Sequence, residues 1–489
     1  MPPAGAAEMS PTDAQVIQAG DGGLPMFSAA DPAALAREKA ELAELAERPL
    51  PVRWWGYARK TGPGWLQSAM TLGGGSAVSS LTLGAFFGYR MLWLQPLAMA
   101  LGIVMLSAMS HQTLSTGQRP FCAMKRHVAP WLAWAWAIAS LLATLIWHFP
   151  QYALAGGTVE DMVTGGRAET YFASPAGRTA LLLAVGAGVL AVSVAITWNY
   201  ASGFKGIRLY ERALKAMVWL IMLAFAVVIA KGTVVGRVDW RQVAMGFLPL
   251  HVPTDAKGVE SIMSAFGAAV GINMTFLYPY SLLARHWGRE HRGLSRFDLI
   301  SGMFVPFVIA VSLMTIAMAC TVHVPGQLPS AAKITPVAAA RGLSDIFGGQ
   351  FGRWIFGLGI LGMVLSSIVT HMLVSGFALC EVLGIEPRGW KYRLACLFPA
   401  PGMLGVIVWK YMGLWVAIRA SAICGILLPI AYVGFAVLQN RRGYLRSDTP
   451  AGWRRLLWNV GMGLAIAVTV ASITYALLFN WDRLLGLRA

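Results

Sequence analysis

From Gly62 onward the chain alternates between apolar stretches and short polar segments in which Arg recurs. A helix needs about 20 apolar residues to cross the hydrocarbon core of a bilayer, so each stretch reads as a transmembrane span. The pattern predicts eleven spans, over residues 63–86, 91–112, 129–156, 178–198, 210–231, 260–284, 299–322, 351–381, 392–409, 413–438 and 456–479. The eighth is too long for one straight crossing and is expected to tilt or project beyond the bilayer. An all-α polytopic membrane protein follows.

Two spans carry a flaw in the middle. The first contains Gly73-Gly74-Gly75-Ser76, and each Gly costs roughly 1 kcal/mol against Ala in a helix interior. Unwound backbone at membrane depth is tolerated only where it packs in protein or lines a cavity. The sixth contains Gly271-Ile272-Asn273-Met274-Thr275 ahead of Tyr278-Pro279. Asn and Thr compete locally for backbone hydrogen bonds and Pro removes a donor, which predicts a break just before Pro279. The flawed spans lie five apart. That spacing predicts two five-helix halves in inverted orientation, about residues 62–231 and 260–438, with 456–479 added, and a solute site where the breaks meet.

The transporter domain so defined runs over 61–480, between a tail of residues 1–60 and a C-terminal tail of 481–489. Residues 1–50 hold no apolar run of signal-peptide length and are expected on the cytoplasmic side. Asp31-Pro32 opens a short amphipathic helix there, with a thin stripe of Leu35, Leu42 and Leu45, and Pro49 ends it. A plain surface helix is the expectation.

Composition agrees with the span pattern. Charged residues make up 12% of the chain against about 25% in a soluble domain, and hydrophobic residues make up 57%. The net charge of +17 sits in loops between spans, which is a membrane-topology pattern and argues against nucleic acid. The runs Arg285/Arg289/Arg292/Arg296 and Arg441/Arg442/Arg446/Arg454/Arg455 put the N-terminus inside, in a bacterial inner membrane. Five scattered cysteines, no HExxH, no Walker loop and no GxSxG elbow leave no sign of an enzyme or a cofactor.

Several local motifs resemble the Nramp metal-ion transporters of the LeuT-like superfamily. GPGW and GAFFGYRMLW are similar to that family's first span and its exit, SAMSHQTLSTGQ to the end of its second, and IRLYERALKAMVWL to its fifth. DWRQVAMGFLPLHVP, RFDLISG, LGMVLSSIVT and GILLPIA match further segments, so the resemblance covers about residues 60 to 480. It implies the LeuT-like fold and a divalent metal cargo.

The binding motifs depart from that family. Its first break supplies an Asp and an Asn to the metal, where this chain has Gly73 and Ser76. Its sixth supplies a Met, where the alignment gives Asn273; Met274 is one place away and would point to another face. Its span-three acids align with Leu145 and His148. A divalent ion normally needs carboxylates to replace its water, so a hydrated ion fits the aligned Ser76, Asn273 and Thr275 better than a bare one.

Exposed N–H groups at Gly73 to Ser76 would equally suit an organic acid or amino-acid-like solute. Close helix packing by small residues is a third reading. Ser366 and Ser367 match a sodium position in some LeuT-like proteins, and His148 is a candidate for proton coupling, so H⁺ and Na⁺ both stand as coupling ions. His371, deep in the eighth span, is a further polar candidate. Glu211, beside Arg208, Arg212 and Lys215, reads as a structural ion pair. A solute sensor is the alternative to a transporter.

Overall fold

Proline in a first helical turn costs no hydrogen bond, because the N–H it lacks has no intrahelical partner there. Pro63 and Pro130 open their helices in this way. The structure, a computed structural model, describes residues 32–200, 204–253, 256–324, 349–407 and 415–479. Its principal helices are α1 Pro32–Glu47, α2 Leu50–Ala58, α3 Pro63–Thr71, α4 Gly74–Phe87, α5 Leu94–Thr116, α6 Pro130–Thr164 and α7 Pro175–Tyr200. They continue as α8 Phe204–Val234, α9 Ala256–Ala269, α10 Ile272–Ala284, α11 Val305–Thr321, α12 Gly349–Leu383, α13 Trp415–Asn440 and α14 Gly452–Phe479.

Nine helical stretches among the described residues are long and apolar enough to cross a bilayer. Two of the eleven predicted spans are not among them. The first is divided into α3 and α4, each too short alone. The ninth, 392–409, is a short helix Gly389–Ala395 and a 3₁₀ turn Ala400–Leu404; its residues 408–409 lie outside the described residues, as do 413–414 of the tenth. The sixth counts as one stretch despite its break.

The centre is built on α6 and α12, 35 residues each and packed along one another. At 1.5 Å per residue each is about 50 Å long, well beyond a hydrocarbon core of about 30 Å. That length was expected of the eighth span and not of the third, which extends past the predicted 156 to Thr164. Both broken spans pack against this central pair. On the outside, α14 packs on α13 and α5 and exposes Trp453, Leu456, Leu457, Val460 and Leu464. An apolar face of that kind is solvated by lipid, as the span pattern requires.

The N-terminal helix is more than a surface helix. Leu42 is buried, Leu45 packs against Gly56 of α2, and Lys60 Nζ donates to Glu41 at 2.5 Å. With Gly56 of α2, the link Arg59, Lys60 and Thr61, and α8, α1 lines a cavity of about 500 Å³. Its walls mix Glu38, Glu41 and Glu44 with Arg59, Arg212 and Lys215. Residues 1–31, including Asp31, and the C-terminal tail 481–489 lie outside the described residues. Glu211 is buried here and faces Arg285 of the sixth span at 3.4 Å, a pairing that its sequence neighbours did not suggest.

The entry into α3 depends on Asp298. Its buried carboxylate accepts the Gly64 N–H at 2.7 Å and the Gly62 N–H at 3.2 Å, two donors that a helix start leaves without intrahelical partners. Asp298→Ala strands both, at about 1–3 kcal/mol for each buried unsatisfied group. We expect a clear drop in the thermal unfolding midpoint in detergent, with Asp298→Asn losing less because one acceptor oxygen remains. An unchanged midpoint in the alanine variant would refute this capping role.

Candidate functional site

The first break is narrower than the glycine run. Helix α3 ends at Thr71, Leu72 (ψ 55°) and Gly73 (ψ −168°) leave helical geometry, and α4 starts at Gly74. Gly74, Gly75 and Ser76 are therefore the first turn of α4. The Gly74 N–H, free of the helix ladder, donates to Gln151 Oε1 of α6 at 2.9 Å. Ser76 Oγ donates back to the Thr71 carbonyl and, at 3.2 Å, to that of Gly73, so its hydroxyl clips the break together. Two glycines are sterically required. A Cβ at Gly73 would come within 2.5 Å of Ser367 Oγ, and one at Gly75 would overlap the Trp147 ring.

The second break falls at Val270 and Gly271 (ψ 158°), and α10 begins at Ile272. Pro279 lies inside α10, so the expected break just before it does not occur there. Met274, a candidate site residue although one place from the position aligned with the family's Met, lines the cavity between the breaks together with Asn273, and its Sδ accepts the Gly271 N–H at 3.4 Å. Asn273 accepts its neighbour's N–H through Oδ1, while its buried Nδ2 has no partner among the described residues. Thr275 turns away, accepting the Trp136 indole N–H at 2.9 Å and donating to Ile272 O. It does not line the cavity.

Both breaks open onto one cavity of about 20 Å³, room for about one water. Gly73, Gly75, Ser76, Gly271, Asn273 and Met274 line it, Gly74 only bordering it through its bond to Gln151. From the central pair come Trp147, Gln151, Ser367 and His371, and no charged side chain lines it among the described residues. Gln151 and Trp147 were missed in the sequence. They lie four residues apart in α6, one helical face, and an intramembrane Gln on the face of an indole was the available signal.

The serines of α12 act as clips. Ser366 Oγ donates to Ala69 O at 3.1 Å and Ser367 Oγ to Met70 O at 3.2 Å, while Thr71 Oγ1 donates to Ala269 O at 2.7 Å. The carbonyls that would join these hydroxyls around a sodium ion are thus already hydrogen-bonded to them. His148 is fully buried in α6 and does not line the cavity; its ring centroid is 5.3 Å from that of His371. Leu145 occupies the other aligned position in α6. For Arg419, in α13, the side chain lies outside the described residues.

Two five-helix halves whose first helices break at a shared buried cavity, with one helix added, form the LeuT-like fold, and the class is that of membrane transporters rather than enzymes. Residues 64–479 match the family described as natural resistance-associated macrophage protein-like, Nramp. The chain belongs to the Nramp family.

Relatives include a protein named divalent metal cation transporter MntH from Mycobacterium leprae, 23% identical over 452 residues, covering 90% of this chain and 95% of the relative. A protein of the same name from Deinococcus radiodurans is 24% identical, covering 87% and 90%. The fold is similar to that of the Eremococcus coleocola manganese transporter, with a TM-score of 0.69 at 13% identity over 95% of this chain and 93% of the other. It is also similar to that of MhsT in complex with L-phenylalanine, with a TM-score of 0.55 at 14% identity over 84% and 98%.

The opposed orientations of Asn273 and Thr275 generate a paired prediction. Thr275→Val strands the Trp136 N–H and should cost about 1–3 kcal/mol of stability while leaving ligand affinity unchanged. Asn273→Leu removes a buried donor without a partner, so stability should hold or rise while ligand affinity falls. Thermal unfolding and ligand titration of both variants check it, and the opposite assignment of effects would overturn the orientation described.

Proposed function

We propose that this chain carries a divalent metal cation across the membrane by alternating access, the two five-helix halves rearranging about the cavity between the breaks. One observation carries the reading: helix breaks in corresponding spans of the two halves open onto a single buried cavity. The printed names of the relatives, divalent metal cation transporters among them, support the cargo class. An organic solute is supported less well. Pockets for such molecules run to about 300 Å³ or more, and this one holds about 20 Å³.

The missing carboxylate shapes what the ion can be. A hard ion such as Mn²⁺ gives up its water to anionic oxygens, and the lining offers only hydroxyl, amide, thioether, imidazole and backbone groups. The ion therefore approaches in its water shell, and the halves must part to admit it. The N-terminus is assigned to the cytoplasm: Arg208, Arg212, Lys215 and Arg285 crowd the cavity beneath α1, the positive-inside pattern.

Flux of divalent cations into proteoliposomes, read with an entrapped metal-sensitive dye, tests the transport itself. Gly75→Leu, whose side chain overlaps the space of Trp147, should abolish that flux while the protein still elutes as a folded species. Calorimetry should place Mn²⁺ binding weaker than about 0.1 mM, as expected for a site without ligand charge. Micromolar Mn²⁺ affinity would contradict the neutral site, and absence of flux for every divalent ion tried would sink the transport reading.

A further inference from the structure

Polar atoms buried without partners mark places where a folded chain waits for something it does not itself supply. Among such atoms in the described residues, one group lies beside the cavity. His148 faces the Thr144 carbonyl of its own helix but makes no well-aligned hydrogen bond through either ring nitrogen, and neither Nδ1 of His371 nor the hydroxyl of Tyr152 has a partner. All three side chains are buried, His148 at 0%, Tyr152 at 0% and His371 at 3% exposure. The His148 ring lies 5.3 Å from that of His371 and 5.8 Å from that of Tyr152. His371 lines the cavity between the breaks and so connects this cluster to the candidate path.

We propose that His148 and His371 are paired imidazole ligands for the transported ion, and that the cargo is therefore a borderline metal of the Zn²⁺, Co²⁺ or Ni²⁺ kind. This rests on the reading of the chain as a divalent cation transporter and names the ligands that reading lacks. The geometry fits. With each nitrogen about 2 Å from a tetrahedral metal, two imidazole ring centres lie about 5 Å apart. The observed separation of the ring centroids, 5.3 Å, matches that spacing.

The chemistry of the donors sets the choice of metal. Imidazole suits zinc, copper, nickel and iron, whereas Mn²⁺ stands lowest in the affinity order for nitrogen sites and does best with carboxylate and water. Beside the pair, Tyr152 offers an oxygen compatible with a borderline ion, its ring 5.8 Å from that of His148. No group of three or more His, Cys, Asp or Glu gathers among the described residues, so the site is not a closed structural one. Two strong ligands completed by weak ones hold an ion that must later leave. The two helices that carry the pair, α6 and α12, are the central pair against which both broken spans pack, so movement of the halves would open and close access to it.

The test uses the purified full chain in nanodiscs. Equilibrium dialysis with Zn²⁺ should give binding that falls at least about 10- to 100-fold in His148→Asn and in His371→Asn, and less in Tyr152→Phe. Pulsed electron paramagnetic resonance of the Cu²⁺-loaded wild type counts coordinated imidazoles without any substitution, and two are expected. Zn²⁺ affinity unchanged in both histidine variants, or fewer than two imidazoles on Cu²⁺, overturns the inference; ordered water filling the gap would give that result. Proteoliposome flux separates it from the transport reading. Divalent flux with undiminished Zn²⁺ binding in the variants leaves transport standing and removes the ligand pair. Two-imidazole binding without flux of any divalent ion does the reverse.

Discussion

A backbone cut open inside a membrane must find partners for its freed N–H and C=O groups, because lipid offers none. Nearly every polar side chain around the two breaks serves that need. Thr71 reaches the end of α9, Ser366 and Ser367 reach the end of α3, Ser76 reaches back across its own break, and Gln151 takes the Gly74 N–H. At the second break the Thr71 and Ser140 hydroxyls take the Ala269 and Ile272 carbonyls, and the Met274 sulfur, a weak acceptor, takes the Gly271 N–H. Ligand chemistry has to be built from whatever atoms remain.

What remains is neutral. The cavity has no formal charge in its described lining, and the nearest buried carboxylate of α3's surroundings, Asp298, is committed to capping that helix. Acidic and basic groups are instead concentrated under α1, where Glu38, Glu41 and Glu44 meet a set of arginines and lysines.

How much of this could be read from the sequence follows from what periodicity and composition encode. The spans were legible because about 20 apolar residues have no other economical reading, and the paired breaks because Gly and Asn clusters recurred five spans apart. The register of each break was not. The Gly73–Ser76 run suggested four unwound residues, yet only Gly73 leaves the helix, since Ser76 can bond to the Thr71 carbonyl from a helical position. Pro279 looked like a breaker but is the eighth residue of α10, where it removes one ladder bond without ending the helix. Thr275 turned away from the cavity because α10 already starts at Ile272, seven residues before Pro279, which sets the direction of every side chain in between. The role of Gln151, and the meeting of His148 with His371 across two helices, depend on tertiary packing that no local pattern records.

The contact between Gly73 and Ser367 also bears on which substitutions the chain accepts. Ser367 Oγ lies 2.5 Å from where any Cβ at Gly73 would be. Placing a side chain there by a single substitution is therefore blocked sterically, and the serine would have to shrink first. Shrinking it alone releases the Met70 carbonyl inside the membrane, so the intermediate is handicapped as well. Two positions on different helices are thus tied together, and neither can change freely without the other.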